Sequence, residues 1–187
     1  MPARLLEELF SGEDERAAAV VGQVEEAHLP ALLAALRGQD PDARWWAVAA
    51  LGHLPGDAAT AALVNVAADH DASVRAAALH ALGQRAAPEA VTPLLFALSD
   101  ESEYLARLAT EALMRIGRPA VPGLIHALMH DAQPRVRVNA ARALAAIADP
   151  AAIPALMGAL EDESALVQHY ADEGLEKLGV GMVYFAT

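Results

Sequence analysis

Residues 71–83 read DASVRAAALHALG, and the Ala81-Leu82 pair in this stretch decides the fold. An Ala-Leu or Gly-Leu pair recurs along the chain at a constant spacing of 31 residues. The five copies are Ala50-Leu51, Ala81-Leu82, Ala112-Leu113, Ala143-Leu144 and Gly174-Leu175. Repetition at a period of roughly 20 to 50 residues is typical of solenoid proteins, whose units stack on a shared core. The period therefore predicts a repeat protein.

The residues around each pair follow the period of an α-helix. We take the recurring Leu as position 0 of each copy. Positions −8, −4, 0 and +3 are almost all apolar, as in Val136, Ala140, Leu144 and Ile147. At about 100° per residue these positions form one stripe along a helix, which must face a core. Arg85 at +3 of the second copy is the exception.

Each of these helices has a predicted start and a shorter helix before it. The positions before the helices, 40, 71, 102, 133 and 164, hold Asp, Asp, Ser, Gln and Ser, and the Asp and Ser residues are predicted N-caps. Pro41 and Pro134 then occupy the first helical turn, where a missing N–H is tolerated. The shorter apolar helices are predicted at 30–36, 58–67, 88–98, 119–128 and 151–160.

The predicted fold class is all-α, an α–α superhelix of five helical hairpins in a single solenoid domain, 1–187. The hairpins are 28–55, 56–86, 87–117, 118–148 and 149–179. Residues 1–27 are predicted to form N-terminal capping helices over 2–10 and 13–26, because the ends of an array must be covered. The apolar tail, 180–187, either folds over the last repeat or docks on a partner.

A recurring charge pattern links neighbouring copies. Asp recurs in the turns at 69, 100, 131 and 162, and Arg occupies position −7 at 44, 75 and 137. A turn Asp, a Val-Arg start and an Ala-Ala-x-x-Ala-Leu-Gly continuation resemble HEAT repeats, in the short bacterial form named after the phycobilisome lyases. The resemblance covers residues 28–179 and implies an Asp–Arg ladder between repeats. Ala106 and Gln168 replace Arg, so we expect the ladder to be broken in the third and fifth repeats.

Composition and charge exclude several classes of protein. Hydrophobic residues make up 55% of the chain and aromatic residues 4%, a balance typical of Ala- and Leu-rich helices. The net charge of −12 argues against a nucleic-acid partner. No apolar run is long enough for membrane insertion, there is no signal-peptide pattern, and there is no Cys. We therefore expect a cytoplasmic protein.

The candidate binding residues lie opposite the apolar stripe, at positions −9, −6, −5 and −2. In HEAT repeats the longer helices line the concave face, so five of them would form a groove roughly 40 Å long. The candidates are Trp45, Trp46, His80, Tyr104, Arg107, Glu111, Arg135, Asn139, Arg142, His169, Tyr170 and Glu173.

Two interpretations are open for the aromatic residues. Trp46 and Tyr170, at the edge position −5, are predicted to pack half-buried between adjacent helices. Trp45 and His169, at −6, are predicted to point away from the core and to bind a partner, because exposed aromatics are common in protein-binding hot spots.

The charged candidates also allow two interpretations. Arg107, Arg135 and Arg142 could form a strip that binds anions. Glu111 and Glu173 share the surface and would partly neutralise such a strip, which favours a mixed solvated face.

Metal and catalytic sites are not predicted. His126 and His130 are spaced i, i+4 with Asp131 adjacent, which is weak support for a metal site. Ser residues occupy caps and turns, and no nucleophile stands with a base. We therefore expect a non-catalytic scaffold that recognises a protein segment, bound as a helix in a groove, without a cofactor.

The resemblance implies an alternative, a tetrapyrrole-handling protein related to bilin lyases or phycobilisome-degradation factors. If the chain were an enzyme, this would be lyase-type action on a pigment. His80, His169 and Tyr170 would then contact the tetrapyrrole, and Arg107, Arg135 or Arg142 would pair with its propionates. Neither interpretation predicts an oligomeric state.

Overall fold

The computed structural model describes residues 2–180, and helices are the only regular secondary structure in this range. It forms two compact units, one up to Pro93 and one from Leu94. The predicted single solenoid domain stays a prediction, and the predicted roles of residues 181–187 fall outside the described residues. The all-α, α–α superhelix class is confirmed.

The first unit contains a pair of N-terminal helices and two helical hairpins. Short 3-10 turns at Val21–Gln23, Glu26–His28 and Pro88–Ala90 connect its elements. Its helices are α1 (Pro2–Leu9), α2 (Asp14–Val20), α3 (Leu29–Ala35), α4 (Pro41–His53), α5 (Asp57–Val66) and α6 (Ala72–Arg85). Within this unit α3 packs on α4, α5 packs on α6, and the two longer helices α4 and α6 pack side by side.

The second unit repeats the same arrangement. The unit boundary falls inside α7 (Val91–Ala97), and the helices that follow are α8 (Glu103–Ile116), α9 (Val121–His130), α10 (Pro134–Ile147), α11 (Ile153–Ala159) and α12 (Ala165–Lys177). 3-10 turns at Arg118–Ala120 and Pro150–Ala152 precede α9 and α11. The longer helix α10 packs between α8 and α12.

The predicted apolar stripe forms the core. The recurring Leu residues are 0% exposed in four copies and 3% exposed at Leu175. Positions −8 and −4 are also buried, as at Val136 and Ala140, except for the half-buried Ala43 in the first copy. The helical phase predicted from the 31-residue period is therefore confirmed.

The single helix predicted over 13–26 is wrong. The α-helix ends at Val20, the chain continues as a 3-10 turn, and Val24 is extended (φ −67°, ψ 142°). Apart from Pro, Gly is the residue least favourable inside a helix, and Gly22 lies where the helix would have to continue. A new turn then starts at Glu25, whose side chain and that of His28 cap it reciprocally.

The predicted caps are correct in position, and three act through their side chains. Asp40, Asp71 and Ser102 accept backbone N–H groups of the helices that follow. Ser164 precedes α12 as predicted, but its side chain makes no capping hydrogen bond. The Asp162 carboxylate accepts the Ser164 backbone N–H at 2.8 Å, the same turn hydrogen bond that Asp69 and Asp100 accept in their repeats.

The Asp–Arg ladder is present inside each unit. The Arg44 guanidinium donates to both carboxylate oxygens of Asp69, at 2.9 and 3.1 Å. Arg137 makes the same pair with Asp162, at 2.8 and 3.1 Å. The hydrogen bond from Arg137 lowers the pKa of Asp162, so that carboxyl is ionised over a wide pH range. Such fixed pairs hold the register between successive hairpins.

The predicted interruptions of the ladder are also present. Ala106 is buried at position −7 of α8, and the Asp131 carboxylate accepts only the Gln133 N–H, at 2.8 Å, among the described residues. In α12 the Gln168 side chain donates to the Asp162 carbonyl at 2.6 Å. Within the described residues of the second unit, the Asp162 carboxylate has an arginine partner and the Asp131 carboxylate has none.

Arg85, the exception in the stripe, closes the end of α4. Its guanidinium donates to the carbonyls of Leu51, at 2.6 Å, and Leu54, and to the Thr60 hydroxyl at 3.1 Å. The last carbonyls of a helix lack partners within the helix and carry partial negative charge, so a cation there is favourable. Burial lowers the pKa of Arg85. Arg85 therefore caps the longer helix of the preceding hairpin, although it occupies a position that is apolar in the other copies.

Gly174→Ala is expected to bring no gain in stability, although the other four copies have Ala there. A Cβ on Gly174 would lie 3.0 Å from Leu156 Cδ1, 3.1 Å from Ala145 Cα and 3.2 Å from Ala145 Cβ. This crowding offsets the ~1 kcal/mol that Gly→Ala contributes in a helix interior. Gly158→Ala in α11 is the control, because its Cβ would make only ordinary contacts with Met129, and we expect it to stabilise the chain. Urea denaturation measures both, and an equal gain in the two variants would contradict the close packing of α12 on α10.

Candidate binding surface on the longer helices

The residues opposite the stripe are exposed or half-buried in both units. We call positions −9, −6, −5 and −2 of α4 and α6 the first inner face, and those of α8, α10 and α12 the second inner face. Tyr104 and Leu166, both at −9, are 54% and 58% exposed. No predicted candidate is buried. The predicted phase of the inner faces is therefore correct, whereas their binding role stays a prediction.

Trp45 and Trp46 dominate the first inner face. Their rings meet edge to face with centroids 4.7 Å apart, and both are half-buried. Half-burial was predicted for Trp46, but Trp45 is less open than predicted. The edge-to-face contact with Trp46 covers part of the Trp45 ring.

The first inner face carries three exposed polar residues, Asp42, Ser73 and His80. His80 lies on α6, two positions before the buried Leu82. The same face carries no Lys or Arg. The first inner face therefore offers aromatic surface, an imidazole, a hydroxyl and a carboxylate.

Tyr104 and Arg107 form an exposed pair on α8. The guanidinium carbon lies 5.4 Å from the centroid of the Tyr104 ring, within range of a cation–π interaction. Arg107 also forms an ion pair with Glu111 at 2.9 Å, one turn further along. Both partners are well exposed, so this ion pair contributes little to stability.

α10 contributes two arginines in different states. Arg135 donates to the Gln133 side chain at 3.1 Å and to the carbonyl of Ser99. Arg142 is half-buried and makes no hydrogen bond or ion pair among the described residues. Asn139, one turn before Arg142, is also half-buried. Arg142 is therefore available to an external anion.

α12 carries an aromatic pair and, further along, an ion pair. His169 is exposed and Tyr170 half-buried, both as predicted, and their ring centroids are 5.3 Å apart. Lys177 donates to Glu173 at 2.6 Å, and this hydrogen bond lowers the pKa of Glu173. Glu173 is thus a paired carboxylate and not a free acid.

The inner faces also include residues that the sequence prediction omitted. Position +2 lies four residues after −2 and so projects on the same side of the helix. In the second unit it holds Arg115, Ala146 and Lys177, all exposed. The helical period alone was sufficient to include them.

The other candidate sites are less developed. His126 and His130 are exposed with ring centroids 4.9 Å apart, and residues 2–180 contain no cluster of three or more metal-ligating side chains. A cleft of about 360 Å³ opens at the turns of the last two hairpins, where Met129, Arg137 and Glu163 line part of it. Arg137, the cation in this cleft, is already paired with the carboxylates of Asp162 and Glu163. We therefore do not assign the cleft as a binding site.

The repeats identify the family. The model of HEAT repeats matches residues 29–114 and 93–176, which is most of the chain. The chain belongs to the HEAT-repeat family. No curated protein matches the sequence, and no helix within residues 2–180 is long and apolar enough to cross a membrane.

Solved structures share the architecture at low sequence identity. An archaeal HEAT-like repeats protein from Thermococcus onnurineus NA1 is 13% identical with a TM-score of 0.65, over 98% of this chain and 82% of that one. A designed armadillo repeat protein in complex with the peptide (KR)4 is 20% identical with a TM-score of 0.54, over 94% and 98%. A computationally designed armadillo repeat protein for modular peptide recognition is 21% identical with a TM-score of 0.51, over 93% and 98%. These similarities show the fold alone.

Proposed function

We propose that this protein is a non-catalytic scaffold that binds a protein segment on the inner faces of its longer helices. The observation that carries the proposal is the exposure of large apolar side chains on surfaces that the packing of the repeats does not need. Tyr104 and Leu166 each expose more than half of their surface, while the stripe on the opposite side of the same helices is buried. Tyr and Arg, which lie side by side here, are enriched in protein-binding hot spots.

The similar structures support a peptide as the partner. One of the designed armadillo repeat proteins is in complex with a peptide, and another was designed for modular peptide recognition. Their chains cover nearly the same length as this one, so the frame is large enough for an extended or helical segment. Which peptide binds this particular surface depends on the side chains of the surface.

Tyr104→Ala is expected to weaken binding of a protein partner at least about tenfold, the loss of a modest hot-spot side chain. The partner would be obtained by photo-crosslinking, with benzoylphenylalanine at position 104 of the full chain, and then purified for titration calorimetry. Phe96→Ala is the control, because Phe96 is 77% exposed but lies on the shorter helix α7.

Loss of binding in Phe96→Ala with full binding in Tyr104→Ala would contradict the inner-face assignment. The tetrapyrrole alternative has its own signature. A change in the absorption spectrum of an added bilin, abolished by Tyr170→Ala, would favour that alternative over a protein segment.

A further inference from the structure

Basic residues are concentrated on the second inner face of an otherwise acidic protein. With position +2 included, this face has fifteen positions on α8, α10 and α12. Five of them hold Arg or Lys and two hold Glu, whereas the whole chain has 13 Lys and Arg against 25 Asp and Glu. The basic residues are Arg107, Arg115, Arg135, Arg142 and Lys177. The face is therefore net positive, on a chain of net charge −12.

Both acidic residues of the second inner face already form ion pairs within the protein. Glu111 is paired with Arg107 at 2.9 Å, and Glu173 is paired with Lys177 at 2.6 Å. The remaining cations have no carboxylate: Arg135 donates to neutral oxygens, and Arg115 and Arg142 make no hydrogen bond or ion pair among the described residues. The excess positive charge on the face is thus not neutralised by the protein itself.

Apolar surface lies among these cations. Tyr104 and Leu166 are exposed at the starts of α8 and α12, and the half-buried Val138 lies on α10 between those helices. Arg142 is on the same helix as Val138, four residues further along, and therefore on the same side. A ligand that covers Val138 would bring its own groups within reach of the Arg142 guanidinium.

We propose that the second inner face binds an acidic peptide segment with apolar side chains, and that Arg142 binds one of its carboxylates. This rests on the proposed scaffold function and names the chemistry of the partner. Guanidinium groups hold carboxylates through two parallel hydrogen bonds, which gives both affinity and orientation. The acidic remainder of the surface is screened beyond about 8 Å at physiological ionic strength, so the local basic residues determine which segment binds.

The test starts from a library without charge bias. Random peptides of about 16 residues are displayed on phage and selected on the immobilised full chain. A helix of this length can cross α8, α10 and α12. We expect the enriched sequences to combine Asp or Glu with Leu, Phe or Trp. One enriched peptide is then synthesised with a fluorescein label, and its Kd is measured by fluorescence polarisation.

Arg142→Glu is expected to raise that Kd at least about tenfold, because it replaces an attraction to the peptide carboxylate by a repulsion. Arg142→Lys keeps the charge but loses the pair of parallel hydrogen bonds, so we expect a Kd between those of the original chain and Arg142→Glu. Arg37→Glu is the matched control: it makes the same change of net charge at an exposed turn residue of the first unit and should leave the Kd within about twofold. Circular dichroism establishes that each variant is folded.

The outcomes separate this inference from the proposed function. Enrichment of basic or uncharged peptides overturns the acidic-partner inference and leaves the scaffold function standing. Acidic peptides that bind Arg142→Glu as well as the original chain overturn the assignment to this face. If no peptide is enriched at all, both the inference and the scaffold function fail.

Discussion

Asp69→Ala is expected to lower the free energy of unfolding by about 3 kcal/mol, because it leaves the buried Arg44 guanidinium without its carboxylate. The side chain of Arg44 is 2% exposed and that of Asp69 10% exposed, so water cannot replace the lost partner. Arg44 keeps its hydrogen bonds to the carbonyls of Gly38 and Gln39, at 3.1 and 3.0 Å, which limits the loss. Urea denaturation followed by circular dichroism measures the change.

The matched control is Asp131→Ala. Asp131 occupies the equivalent turn and accepts the same backbone hydrogen bond, from Gln133 at 2.8 Å, but Ala106 replaces the arginine that would pair with it. Only the turn hydrogen bond is lost, so we expect a cost of about 1 kcal/mol. Equal costs for the two variants would show that the ladder contributes nothing beyond the turns.

Leu144→Ala is expected to destabilise the chain by about 3 kcal/mol, since it removes a fully buried side chain from the apolar stripe of α10 and leaves a cavity. α10 packs against both α8 and α12, so the surrounding helices cannot close the space without losing other contacts. The free energy of unfolding from urea denaturation is again the measurement.

Leu166→Ala is the control for the phase of these helices. It is the same substitution in the next longer helix, but Leu166 is 58% exposed at position −9, opposite the stripe. We expect its cost in stability to be below about 0.5 kcal/mol. A large loss at Leu166 would mean that this face is covered by the protein itself, and the candidate binding surface would then be withdrawn.

The sequence predicted the features that depend on local periodicity. The stripe that contains Leu144, the positions of the caps and the Arg44–Asp69 and Arg137–Asp162 pairs all follow from a 31-residue spacing read with the 3.6-residue helical period. The exposed placement of Tyr104 and His169 follows from the same phase.

Two local predictions failed for different reasons. Helix 13–26 stops early because Gly22 weakens the helix at the point where it would have to continue. Ser164 occupies the N-cap position of α12 without a capping hydrogen bond from its side chain, whereas Ser102, in a turn with the same backbone hydrogen bond, makes one. The residue type supplies the acceptor, but it does not fix the side-chain rotamer that would use it.

The sequence by itself determined the repeat, the core stripe and the family, because each residue of these features acts within its own helix or at a fixed distance along the chain. Only the tertiary structure showed that Trp45 is half-buried, that Arg85 caps α4 and that a Cβ at Gly174 would be tightly packed. The cap and the crowding at Gly174 depend on how closely one particular helix lies against the next. That separation is set by the sum of all side chains between the helices, and no single periodicity encodes it.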